Sequence, residues 1–189
     1  MIRNAAVILL TVLMGGCSIF SRPDNTFYSL EPIAPAGGVT AVSGLPVGID
    51  GIQLPPGIDR RGIVVRGENN EVEVRGTHQW TSPLEEMVTH TLAFNLANRL
   101  AVGMVILPGQ AKPAAGSMRS IYVTFEELAA QADGRFVLDA HWTIGGFGLE
   151  ERSGREEIVI PLPSSESSAI VDAMNQALAQ LAERIVAQL

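Results

Sequence analysis

The chain has 189 residues, of which 20 are acidic and 13 basic, so one domain with a buried core is expected and the net charge is −7. This acidic balance argues against binding to nucleic acid or direct adhesion to anionic lipid head groups, both of which attract basic proteins. The single cysteine excludes an internal disulfide and any metal site that needs several cysteines.

The N-terminus has the pattern of an export signal. Arg3 is followed by an apolar run over residues 5–14. A run of about ten residues is roughly half of what a membrane-spanning helix needs. We therefore predict a signal peptide at residues 1–16 and not a transmembrane anchor.

Two small residues and a cysteine end this signal: Gly15, Gly16 and Cys17. The arrangement resembles the lipobox of bacterial lipoproteins, with Met14 where leucine is usual, and implies that Cys17 becomes the acylated N-terminus of the mature chain. The alternative is a secretory peptide cut near Gly16, which would leave a free thiol in an oxidising compartment. We predict covalent diacylglycerol and N-acyl chains on Cys17, because several acyl chains give a stable anchor. By the sorting rule known for such lipoproteins, Ser18 in place of Asp predicts the periplasmic face of the outer membrane.

After a lipidated tether at residues 17–25, strand patterns and helix patterns alternate along the chain. Strands are predicted over residues 26–30, 45–54, 63–66, 71–75, 102–107, 119–128, 135–144 and 156–162, and helices over 83 to about 100 and over 168–189. Segments rich in Pro and Gly at 31–44 and 108–117 are predicted as loops.

The start of the first helix has the sharpest local signal. Ser82, Pro83 and Glu85 match an N-cap, a first helical residue and the acid of a reciprocal capping box. From Leu84 to Leu100 a leucine or valine recurs every four residues, which gives the helix one apolar face. The second predicted helix has the same kind of stripe, so we expect both helices to bury one side against a sheet.

Two hairpins are predicted. Strands 63–66 and 71–75 flank a Gly-Glu-Asn-Asn turn, and in the second strand the valines share one face while the charged residues share the other, solvated face. Strands 119–128 and 135–144 alternate apolar and polar residues around Asp133-Gly134, a strong turn signal. The order of elements predicts an α+β fold, with one domain over residues 26–189. Two long amphipathic helices should pack on one face of a mixed or largely antiparallel sheet.

Motifs for catalysis are weak. The chain has no Gly-x-Ser-x-Gly, His-Glu-x-x-His or Walker-type phosphate loop. His78, His90 and His141 are predicted on a loop, a helix and a strand, without metal-ligand spacing. Asp139 and His141 share one strand face and could bind a metal or share a proton, although a hydrogen-bonded surface pair is the simpler interpretation. We predict no enzyme, no metal and no cofactor beyond the covalent lipid.

Two stretches point to contacts with other proteins. Trp80 precedes the first helix, where it could pack on the first turn or serve as a partner contact, since tryptophan is frequent at binding hot spots. Residues 54–61 form a stiff turn that ends in Asp59, Arg60 and Arg61; this turn could carry an Asp59-Arg60 surface pair or contacts between subunits. The candidate contact residues are Leu54, Pro55, Asp59, Arg60, Trp80 and Pro83.

Taken in order, these stretches resemble the ABC-type transport auxiliary lipoproteins, the PqiC-like family. Family members carry V-x-L-P-x-Y-L-D-R-P, I-V-x-R and W-A-E-P-L segments after a tyrosine-rich first strand, and they end in a long helix. The matching residues here are Tyr28-Ser29-Leu30, Ile52 to Arg60 leading into Ile63 to Arg66, Trp80 with Pro83-Leu84, and Ala177 to Leu189. The chain departs from these patterns at 57–58, 61 and 81–82.

The resemblance implies a non-catalytic component of an intermembrane lipid transport system that supports membrane integrity. In such systems an inner-membrane ABC transporter or related protein works with periplasmic MCE-domain proteins, and the lipoprotein docks the conduit at the outer membrane. The implied partners are an MCE-domain protein, the transporter components and further copies of the chain in a homo-oligomer, with no nucleic acid. The alternative is an envelope lipoprotein that regulates a cell-wall enzyme.

Overall fold

The computed structural model describes residues 24–40 and 44–189. The predicted signal peptide, Cys17 and Ser18 lie outside the described residues. The strands are β1 (Thr26–Tyr28), β2 (Val47–Gln53), β3 (Gly62–Arg66), β4 (Val72–Trp80), β5 (Val105–Ile106), β6 (Arg119–Gln131), β7 (Arg135–Gly145) and β8 (Arg152–Pro161). The helices are α1 (Leu84–Ala97) and α2 (Ser167–Val186), with a short 3-10 turn at Glu68–Asn70.

All eight strands belong to one mixed sheet built around β6, the longest strand. On one side β6 pairs antiparallel with β7 along most of its length, and β8 follows β7. On the other side two strands share β6: β2 runs parallel to its first half and β3 parallel to its last residues. Beyond them lie β5, paired with β2, and then β4 and β1, paired with β3 and β4. The chain between β2 and β3 therefore leaves the sheet at the middle of β6.

Both helices pack on the same face of this sheet. Alternate side chains of β6 and β7 point to that face, and those of Ile121, Phe136 and Leu138 are fully buried. On α2, Leu178, Leu181 and Ile185 complete the interface. Truncating one such leucine to alanine would cost about 2–5 kcal/mol, so this layer dominates stability. The predicted α+β fold, with two amphipathic helices on one face of a mixed sheet, is confirmed.

Several local predictions differ from the structure. His78 lies in a strand and not in a loop, because β4 continues past Gly76 to Trp80 and gains β1 as a parallel neighbour. Val72 and Val74 are exposed, so neither face of this part of β4 is covered. Phe94 of α1 is 40% exposed, so it lies outside the buried apolar face of the helix.

The segment from residue 29 to 40, most of which lies in the loop predicted over 31–44, crosses the outside of both helices. We call it the strap. Its backbone amides are held by side chains of the helices: Glu31 donates to Asn175 Oδ1 (3.0 Å) and Ile33 to Asn95 Oδ1 (2.9 Å). At its end, the N–H of Thr40 donates to the carbonyl of Arg99 (2.7 Å). The strap thus leads from β1 over the helical layer towards β2.

Neither helix in the described part of the chain has the length and apolar content needed to cross a membrane.

Candidate interaction site

The turn between β2 and β3 is held in place by buried side chains of its own residues. Pro55 is buried, the side chain of Ile58 is 1% exposed, and the Ile58 N–H faces the Pro55 carbonyl at 3.5 Å. Gly57 has φ +86°, the left-handed value that the second central position of such a turn requires. The buried Ile58 holds the turn against the core. Asp59 and the residues after it are therefore presented outward on a rigid base.

The two predicted contact stretches meet at Trp80. The Trp80 N–H donates to the carbonyl of Arg61 (2.8 Å), and the Thr81 N–H donates to the carbonyl of Tyr28 (2.9 Å). The indole of Trp80 is only 4% exposed and belongs to the core. Its Nε1 has no hydrogen-bond partner among the described residues. Trp80 therefore packs in the core, which agrees with the first of its two interpretations.

The helix start beside Trp80 differs from the predicted capping box. The helix begins at Leu84, Pro83 takes the cap position with an extended backbone (φ −50°, ψ 133°), and no side-chain cap bond forms. Since the extended Pro83 turns the chain before the helix, Ser82 is outside capping reach. The Pro83 carbonyl accepts the Met87 N–H (3.2 Å), which starts the backbone ladder of α1. Ser82 faces a surface cleft instead.

This cleft, about 460 Å³ in volume, joins residues from three parts of the chain; we call it the Trp80 cleft. Its lining residues are Phe27, Asp59, Arg60, Arg61, Trp80, Thr81, Ser82 and Pro83. Phe27 at the rim is 53% exposed. The sequence of the first strand did not indicate which of its residues would face solvent. The Asp59-Arg60 ion pair, one of the two interpretations of this turn, does not form among the described residues. Arg60 Nε donates instead to the Gly57 carbonyl (3.0 Å).

The structure places the predicted contact residues unevenly. Asp59, Arg60, Trp80 and Pro83 all line the Trp80 cleft. Leu54 and Pro55 lie beneath the turn, partly or fully buried, and support it. The rim carries one acidic residue, Asp59, and two basic residues, Arg60 and Arg61. It therefore has a local excess of positive charge in an otherwise acidic chain. The cleft can therefore offer aromatic surface and guanidinium donors to a partner.

The Asp139 and His141 pair on the other face of the sheet does not form a free acid/base site. Asp139 receives two hydrogen bonds from Arg155, Nε to Oδ1 at 2.9 Å and Nη2 to Oδ2 at 2.5 Å. These bonds lower the pKa of the Asp139 carboxyl below its ordinary value, and burial opposes that effect only in part. A carboxylate so engaged is a poor base. His78 is likewise engaged, through the Tyr28 hydroxyl (3.0 Å), while the described residues contain no cluster of three metal-ligating side chains.

The comparisons with known proteins give the family. The profile of the ABC-type transport auxiliary lipoprotein component matches residues 28–186. The chain belongs to this family. Among its relatives is the intermembrane transport lipoprotein PqiC of Escherichia coli K12, 22% identical over 143 residues that cover 75% of this chain and 74% of PqiC. The PqiC protein of Shigella flexneri matches equally.

Two crystal structures share the fold of this auxiliary lipoprotein. One, of an uncharacterized protein, has a TM-score of 0.70 at 18% identity and covers 87% of this chain and 98% of its own. The other, of a protein from Xanthomonas campestris, has a TM-score of 0.64 at 17% identity, with 85% and 92% covered. Membership of a transport auxiliary family fits a component that assists a transporter, and the family is generally non-catalytic.

Proposed function

We propose that this auxiliary lipoprotein is a non-catalytic part of an MCE/ABC-type intermembrane lipid transport system, held at the outer membrane and docking the periplasmic conduit there. The family match over residues 28–186 is the observation that carries the proposal. The name of the PqiC relatives, intermembrane transport lipoprotein, supports it. The acylation signal that ends at Cys17 supplies the anchor, and docking in this way would support membrane integrity.

The Trp80 cleft is our proposed docking site. Phe27 at its rim lies ten positions after Cys17, and a fully extended chain of that length spans at most about 35 Å. An acylated Cys17 would therefore keep the cleft near the membrane. Arg60 and Arg61 at the rim suit an acidic segment of the partner, and Phe27 offers exposed aromatic surface. In a homo-oligomer the same cleft would lie beside neighbouring copies.

Site-specific photocross-linking in intact cells tests the docking site. A photoreactive amino acid at Arg60 or at Phe27 should form adducts with an MCE-domain protein. The same group at Gln110, an exposed loop position outside the cleft, should not.

Reversing the rim charge with Arg60→Glu and Arg61→Glu should weaken the adduct at Phe27, whereas Arg135→Glu at a distant exposed hairpin should leave it unchanged. Adducts only with peptidoglycan synthases or hydrolases would replace the proposal with regulation of a cell-wall enzyme.

A further inference from the structure

A second cleft, about 570 Å³ in volume, lies on the helical side of the molecule between the strap and α2. Its walls are mainly apolar, and its size is within the range of small-molecule sites. Ile33 and Pro35 line it from the strap, and Arg99 from the residues just after α1. Ala179, Glu183 and Val186 line it from α2. We call it the strap cleft. It shares no lining residue with the Trp80 cleft.

Arg99 is a buried cation with no close counter-charge in the described part of the chain. Its side chain is 6% exposed. Its Nη1 donates to the Ile33 carbonyl (3.2 Å) and the Asn95 carbonyl (3.0 Å), which are neutral acceptors. Its Nε is buried without a partner, and no carboxylate of the described residues lies within 4.0 Å of it. Burial lowers the pKa of the Arg99 guanidinium, an effect that the charge of Glu183 opposes.

The hydrogen bonds of Arg99 explain how it holds the strap, but they do not explain its charge. Neutral acceptors need only a donor, whereas removing a guanidinium from water is costly unless an anion compensates it. Glu183 lies too far away to form an ion pair with it. An anionic group entering the strap cleft would supply the missing charge through strong, charge-assisted hydrogen bonds.

We propose that the strap cleft binds a single-chain lipid with an anionic head, a carboxylate or a phosphate. The head lies at Arg99 and the chain lies between the strap and α2. The apolar walls select for the tail, and Arg99 selects for the sign of the head. Since Glu183 would repel the same head, its removal should strengthen binding. The site is distinct from the docking site, and the proposal holds whether or not the chain docks a conduit.

Photolabelling of the purified full chain in a neutral maltoside detergent tests this site. A dodecanoate that carries a diazirine is added, the sample is irradiated, and labelled peptides are mapped by mass spectrometry. We expect label in the strap and in residues 176–187, at the end of α2 and just after it. Unlabelled dodecanoate or dodecyl phosphate should compete, and which of them competes better identifies the preferred head. Competition by acetate alone, or equally by dodecanol, would overturn the proposal, as would label spread over the whole chain.

Matched variants separate binding from folding. Arg99→Gln should lower labelling about tenfold or more, Arg99→Lys should keep part of it, and Glu183→Gln should raise it. Gln180→Trp, which fills the exposed side of the cleft, should abolish labelling, while Gln188→Trp outside the cleft and Arg135→Gln elsewhere should not. If Arg99→Gln does not fold, the pair Gln180→Trp and Gln188→Trp decides. The variant Cys17→Ser lacks the acylation site. If label appeared only in this variant, the protein's own acyl chains would occupy the cleft, and the proposal of an exchangeable lipid ligand would be overturned.

Discussion

The backbone N–H of Trp80 donates a hydrogen bond to the carbonyl oxygen of Arg61 at 2.8 Å, and this bond joins the end of β4 to the turn before β3. It brings the two predicted contact stretches into one cleft. Because Trp80 itself is buried, the cleft depends on the conformation of the turn above it. Changes in the turn should therefore affect stability and docking together.

Gly57→Ala tests this dependence. Gly57 has φ +86°, and alanine in the left-handed region costs about 1–2 kcal/mol even where space is free, as it is here. We expect urea denaturation to show a free energy of unfolding lowered by about 1 kcal/mol, with weaker photocross-linking at Arg60. Gly76→Ala is the matched control, since Gly76 is equally open and has no positive φ. Equal losses in both variants would contradict a special role for the Gly57 conformation.

Asn95→Ala should release the strap. Asn95 is fully buried, and its Oδ1 accepts the Ile33 N–H at 2.9 Å and lies 3.4 Å from Arg99 Nη1. Removing the acceptor leaves a backbone amide and part of a guanidinium unsatisfied, so we expect a loss of about 1–3 kcal/mol in urea denaturation. Hydrogen exchange should also rise in the strap while β7 stays protected. Unchanged exchange at Ile33 would show that the strap is held by other contacts.

The Asp139 carboxyl should titrate below its ordinary pKa of about 3.9. Hydrogen bonds from Arg155 lower its pKa in the folded state. The stabilisation is therefore present above the pKa of the unfolded state and is lost as the pH falls through the lower folded value. Carboxyl NMR titration should show the low pKa in the parent chain and a value nearer the ordinary one in Arg155→Gln. In Asp139→Asn, the fall in the free energy of unfolding between pH 5 and pH 2 should be smaller. An identical fall would show that protonation of Asp139 does not contribute to the loss of stability.

The helices and long strands could be predicted because their apolar periodicity reflects one buried face. The stripe from Leu84 to Leu100 and the alternation of Phe136, Leu138 and Ala140 both place buried residues correctly. Features that depend on distant partners could not be predicted in this way. Asn95 and Asn175 read as ordinary polar positions on helices, yet both hold the strap. Nothing near residue 31 indicates which helix it crosses.

The candidate site shows the same division. The stiff turn at 54–61 and the helix boundary at Pro83 are local features, and the sequence patterns there predicted both. These stretches meet because β3 pairs with β4 and places Gly62 opposite Gln79. Phe27 becomes a third wall because β1 runs parallel to β4 on its other side. Such pairing between distant segments leaves no local signal. The predicted capping by Ser82 failed because the extended backbone of Pro83 starts the helix one residue later.

Gly154 lies in a strand that was not predicted to reach it, and a substitution can test why glycine is needed there. The strand was predicted from residue 156, but β8 begins at Arg152. Gly154 pairs with Trp142 of β7, and a Cβ at this position would lie 2.7 Å from the Trp142 Cε2 atom. The glycine therefore leaves room for the indole, and the strand pairs without a bulge around it.

Gly154→Ala should destabilise the chain by overpacking. The indole would have to move within a closely packed layer, so we expect a loss of about 1–3 kcal/mol in urea denaturation and an altered near-UV circular dichroism signal. Ser153→Ala, at the exposed neighbouring position, should change stability by less than about 0.5 kcal/mol. Trp142→Phe removes the atoms nearest the new methyl group, and the double variant should therefore lose less than the sum of the two single losses. Strict additivity would show that Gly154 is needed for its backbone and not for the space it leaves to Trp142.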